Sequence, residues 1–184
     1  MRYTCTTVFT KTKENISTYI DEAIYGANDG IITTFAVISA GAGASLSNDA
    51  IIIIGAANLI ADGFSMGASS FLSIRTEEDV QRLKSFFKFF KRKKSDAIPR
   101  SGVTFGAFVI AGIMPLLPFL TPYTAGNEFL ISALSAGVAF FFVGGIRTYV
   151  TKRGFFISGA EMLLVGGIAA ILAYSIGAIV EAIV

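Results

Sequence analysis

The sequence predicts an all-helical, polytopic membrane protein with five transmembrane helices, its N-terminus cytoplasmic and its C-terminus outside. Three observations carry that prediction. Hydrophobic residues make up 53% of the 184-residue chain and charged ones only 15%, with a mean hydropathy of +0.67. A soluble core of this size cannot hide so much apolar surface. The apolar residues also gather into five runs, each close to the roughly 20 residues a helix needs to cross about 30 Å of hydrocarbon. Finally, all 15 Lys and Arg residues fall on one side of the resulting topology. In lipid the backbone must satisfy its own hydrogen bonds, and the period-two alternation of a membrane barrel is missing from these runs.

Residues 1–25 form an N-terminal cytoplasmic segment. Within it Ile16, Ile20, Ala23, Ile24 and Ala27 share one helical face, which predicts an amphipathic helix at the membrane interface or an extension of the first span. The opening residues hold no apolar stretch of the kind a cleaved signal peptide carries. Cys5 is therefore expected to be an ordinary thiol in a reducing compartment. The transmembrane domain occupies 26–184. Its first span covers about 26–46 and, after Ser47-Asn48-Asp49, the second covers about 50–74. A basic loop, 75–100, holds nine of the 15 cations. Its Lys84–Lys94 stretch, with Phe interleaved, predicts contact with anionic lipid and not nucleic acid, since it adjoins two membrane spans. The third span covers about 102–120, where Pro115 and Pro118 are expected to bend or end it. The fourth covers about 129–150 and the fifth 156–180, separated by Arg147, Lys152 and Arg153. Gly144-Gly145 and Gly166-Gly167 predict close helix packing. With Arg2, Lys11 and Lys13 before span one, the positive-inside rule fixes the orientation.

Several functions are excluded. The chain has one Cys and no His, which removes disulfide frameworks, Cys clusters and the usual zinc, haem and triad ligands. No phosphate loop or nucleophile–base pair occurs, so neither an enzyme nor a permanently bound cofactor is expected.

What remains is polar groups inside the membrane. On a wheel of span two, Asn58, Asp62, Ser65, Met66, Ser69 and Ser73 fall within an arc of about 100°. An Asp near the centre of a span costs roughly 2.5–3.5 kcal/mol to insert, so it reads as functional by default. On span one, Asp29 and Thr33 lie on a narrow face of small residues that includes Ala36 and Ala40. Carboxylates, an amide oxygen and hydroxyls suit hard or borderline cations, whereas a thioether shifts preference toward Fe(II), Mn(II) or Co(II). The predicted metal site is Asp29, Met66 and Asp62, with Thr33, Asn58, Ser65 and Ser69 lining the path. Glu161 is expected to pair with Arg147. Five spans cannot split into an inverted pair, so a two-fold arrangement requires a homodimer. The alternative is a membrane scaffold whose polar stripes only hold helices together.

The segments DGIITTFAVISAGAGASLS and ANLIADGFSMGASSFLS resemble the vacuolar iron transporter family, and PLLPF and GAEMLLVGGIAAILAYSIG look like its later spans. The resemblance covers nearly the whole chain from Ile16. It implies a five-span homodimer that moves Fe(II), and often Mn(II), out of the cytosol in exchange for protons, along a path at the dimer interface. The family's metal-binding Asp and Met fall on Asp29 and Met66. Three departures stand out. Plant and yeast members carry a Glu, a proton carrier, where this chain has Asn58, which passes that role to Asp62, one turn along. Ser69-Ser70-Phe71 replaces a Gly-Glu-Tyr found in many prokaryotic members. The large acidic cytosolic domain after span two is reduced to Glu77, Glu78 and Asp79.

Overall fold

The computed structural model describes residues 3–85, 95–121, 126–148 and 154–184, with side chains described from residue 18 onward and, in the first stretch, up to 83. Within them the chain forms five helices: α1 (Tyr3–Gly43), α2 (Asn48–Ser85), α3 (Ala97–Leu120), α4 (Glu128–Ile146) and α5 (Phe155–Ile183). Their bounds follow the expected spans to within a few residues at most ends. At the N-terminus, α1 is one continuous helix of 41 residues, so the amphipathic segment and the first span share a single axis. The Lys84–Lys94 lipid contact lies outside the described side chains.

Helices α2 to α5 are long and apolar enough to cross a membrane. α1 is more polar because of its place in the bundle. It packs against all four other helices, so its sides meet protein instead of lipid and tolerate Asn28, Asp29, Thr33, Thr34 and Ser39. The burial pattern is the reverse of a soluble domain. Polar Thr34, Ser39, Thr104, Ser132 and Ser158 are buried, while Ile53, Phe64, Leu72, Ile110, Leu134, Phe156 and Ile171 face outward. An exterior of large aliphatic and aromatic side chains is stable only when the solvent is hydrocarbon. The chain is an all-helical, multi-pass membrane protein.

Association in lipid relies on close backbone approach at small residues. A methyl group on Gly26 or Gly30 would run into the backbone carbonyls of Thr104 and Phe108, so α1 lies directly on α3. Gly177 and Gly43 bring α1 and α5 together in the same way, against Ala40 and Tyr174. Of the four glycines expected at packing seams, Gly144, Gly145 and Gly166 sit against α5 or α4 side chains, but Gly167 faces open space.

Neither proline ends α3, which runs on to Leu120. Pro118 has no N–H to offer the carbonyl of Met114, four residues back. On α4, Ser132 Oγ donates to the Pro115 carbonyl at 2.6 Å, while Ser135 Oγ donates to the Ser132 carbonyl at 2.8 Å and lies 3.4 Å from the Met114 carbonyl. The hydroxyls of α4 thus help keep α3 helical. α1 stops three residues earlier than expected, at Gly43, in a Schellman turn. The Leu46 N–H donates to the Gly41 carbonyl at 2.9 Å, and Ser45 takes a left-handed φ of 50°.

Candidate functional site

The turn between α1 and α2 sets the depth of every polar group on the two helices. Asp29 lies 14 residues before the end of α1 and Asp62 lies 14 residues after the start of α2. At 1.5 Å per residue both sit about 21 Å from the turn. α1 and α2 pack against each other, so the two acids that the wheels had only placed on their own stripes lie at matching depth on neighbouring helices. The Thr33 hydroxyl donates to the Asp29 main-chain carbonyl at 2.9 Å, which leaves the hydroxyl's lone pairs uncommitted by that bond.

The α2 stripe divides by exposure. Asn58, Asp62 and Met66, one turn apart, are partly buried, whereas Ser65, Ser69 and Ser73 are exposed on the outer surface of the chain. Met66, Ser69 and Ser73 line a pocket of about 320 Å³ together with Glu22, Tyr25, Ser70, Ile74, Glu77 and Arg100. Among the described residues no group of three His, Cys, Asp or Glu side chains converges on one point. Each chain thus carries two carboxylates at one depth on adjacent helices, with a thioether one turn from the second. Glu161 is exposed on α5, and Arg147, at the end of α4, lines a separate pocket of about 340 Å³ with Asp21, Tyr25, Asn28 and Met162.

A sequence profile of the VIT family matches residues 20–86 and 87–178. The chain belongs to the VIT family. Members of that family are transporters, not enzymes, and the VIT match reaches every helix described above, α1 from residue 20 onward and α5 as far as residue 178. Vacuolar iron transporter homolog 2 of Oryza sativa subsp. japonica is 25% identical over 169 residues, covering 86% of this chain and 88% of the rice protein. Vacuolar iron transporter 1 of the same plant is 23% identical over 215 residues, covering 88% and 85%. The vacuolar iron transporter of Toxoplasma gondii is 38% identical over 63 residues, 34% of this chain but only 21% of the parasite protein.

One feature of this VIT chain was missed by the sequence reading. Glu22 on α1 is the centre of a polar knot that ties three helices. Its Oε1 accepts from Arg100 Nη2 at 2.6 Å and from Arg100 Nε at 3.2 Å, and its Oε2 accepts from Thr104 Oγ1 at 2.9 Å and Ser70 Oγ at 3.4 Å. The signal was the i, i+7 spacing of Glu22 and Asp29, which puts both acids on one face of α1.

Proposed function

We propose that this protein carries Fe(II), and Mn(II) with it, out of the cytosol in exchange for protons, as a homodimer. The observation that carries the reading is the pair Asp29 and Asp62, two acids at one depth on neighbouring membrane helices, beside Met66, in a VIT-family chain. Two carboxylates that repel each other in a low-dielectric setting are stabilised by a divalent cation between them. The thioether beside them favours a borderline ion over Mg(II) or Ca(II). The names of the rice and Toxoplasma relatives add iron as the cargo.

The polar face of α2 supports the homodimer. Ser65, Ser69 and Ser73 are exposed on a helix whose surroundings are lipid. Polar side chains of this kind face a bundle interior or a water-filled path. A second copy packed across α2 supplies both and doubles the carboxylates. Orientation rests on the basic residues, which put the Arg75–Arg100 end in the cytosol. In a cell without vacuoles the membrane is the cell membrane. Expelling a divalent ion against about 100 mV, inside negative, costs roughly 4.6 kcal/mol. Two entering protons cancel that electrical cost. Asp62 is the proton carrier, because metal and proton compete for its carboxylate.

Purified protein in liposomes tests the reading. Fe(II) and Mn(II) should enter and quench a trapped metal-sensitive dye, Ca(II) should not, and metal entry should move protons the other way. Liposomes no more permeable to Fe(II) than protein-free ones would refute transport and leave the scaffold reading.

A further inference from the structure

The pocket that opens beside Met66 contains one group a cation path would not be expected to hold, the Arg100 guanidinium. Arg100 is also the one cation lining that pocket among the described residues. It sits in the first turn of α3, where the helix dipole disfavours a positive charge. What holds it is the Glu22 carboxylate, in a contact with side chains only 14% exposed for Glu22 and 25% for Arg100. Thr104 and Ser70 occupy the other Glu22 oxygen, so the carboxylate is saturated with donors. Glu22 and Ser70 lie at matching depth, one turn beyond Met66, which in turn is one turn beyond Asp62. From the basic end of the bundle inward, the order is therefore Glu77 and the Glu22–Arg100 pair, then Met66, then Asp62 and Asp29.

We infer that Arg100 is a tethered competitor cation: it occupies the vestibule carboxylate of Glu22, and an arriving divalent metal must displace it to reach Met66. The inference rests on the transport reading and adds a selectivity step to it. A guanidinium that makes two contacts to one carboxylate oxygen is not displaced by a monovalent ion, which brings no more charge than it removes. A divalent ion brings twice the charge, and the thioether of Met66 and the carboxylate of Glu77 lie in the same pocket to receive it. Once the ion moves on toward Asp62, the guanidinium returns to Glu22, and the vestibule closes behind the cargo. Arg100 is thus a specificity residue that never needs to touch the transport site itself.

The test is Co(II) binding by calorimetry on the full-length protein in detergent, with Co(II) chosen because it does not oxidise in air. Arg100→Gln keeps a hydrogen-bond donor and removes the charge, and it should tighten Co(II) binding about tenfold. The double variant Glu22→Gln/Arg100→Gln should lose that gain, and Arg100→Lys should resemble wild type. Adding 100 mM-range K⁺, on the order of physiological ionic strength, should weaken Co(II) binding in Arg100→Gln more than in wild type. If Arg100→Gln does not fold, Glu22→Asp draws the carboxylate back from the guanidinium by one methylene and should tighten binding in the same direction. Co(II) affinity within twofold of wild type in Arg100→Gln, or in Glu22→Asp where Arg100→Gln does not fold, or a gain that persists with Gln at position 22, would overturn the inference and leave the pair as a helix tie. Failure of the transport reading shows separately, as wild-type liposomes that admit no Fe(II).

Discussion

Asp29→Asn separates the cost of a site from the benefit of its ligand. The substitution preserves volume and hydrogen bonding and removes one of two charges. For the empty protein that is a gain: Asp29 and Asp62 are like charges at a common depth of about 21 Å from the α1–α2 turn. Relieving a partly solvated like-charge pair should stabilise the apo form by on the order of 1 kcal/mol. For the metal it is a loss. A divalent ion about 4 Å from a carboxylate, at an effective dielectric near 20, gains roughly 8 kcal/mol before dehydration is subtracted. Removing one partner of a desolvated charge contact typically costs about 3–5 kcal/mol net, or about 150-fold to 5,000-fold in affinity. The two effects have opposite signs, which a misfolded variant cannot imitate. Thermal unfolding in detergent, followed with and without Co(II), measures both. The variant should melt at or above the wild-type temperature without metal and lose the metal-induced upward shift. A lower apo melting temperature together with an intact metal shift would show that Asp29 is a structural residue and that the cation binds elsewhere.

The other expectations follow from the same geometry. Met66→Leu conserves volume, should cost the fold under about 1.5 kcal/mol, and should slow Fe(II) and Co(II) transport several-fold while leaving residual Mg(II) flux unchanged; equal loss for all three metals argues against a sulfur ligand. Asp62→Asn should leave part of the downhill metal flux and abolish metal-driven proton movement in vesicles carrying a pH dye, and an unchanged proton ratio would reassign coupling to another acid. A reporter fused after Val184 should read extracytoplasmic and one inserted in Lys91–Lys94 cytoplasmic, with the reverse result overturning the export direction.

The number of helices, and where three of them begin, were legible in the sequence for a physical reason. Hydrocarbon imposes a fixed length and forbids unsatisfied backbone, so span length, turn residues and cation placement are local properties. That is why α3, α4 and α5 begin within a few residues of where the apolar runs predict. The polar stripe of α2 was legible too, because helical periodicity places Asn58, Asp62 and Met66 on one face whatever the neighbours are. Periodicity does not say which face meets which helix. The central position of α1 was not readable, because it depends on Gly26 and Gly30 meeting the backbone of α3, some 78 residues further along. The prolines were read by local rules as bending or ending α3; the helix does not end there, and Ser132 from another helix donates to the Pro115 carbonyl at that point. The Glu22–Arg100 pair spans 78 residues, and in the sequence Arg100 is only the last cation of a basic loop. By itself the sequence determined what each helix is and how deep its polar groups lie. Which of those groups meet was decided only by tertiary packing, because in lipid helices associate through small-residue contacts and paired polar groups that act across long separations in the chain.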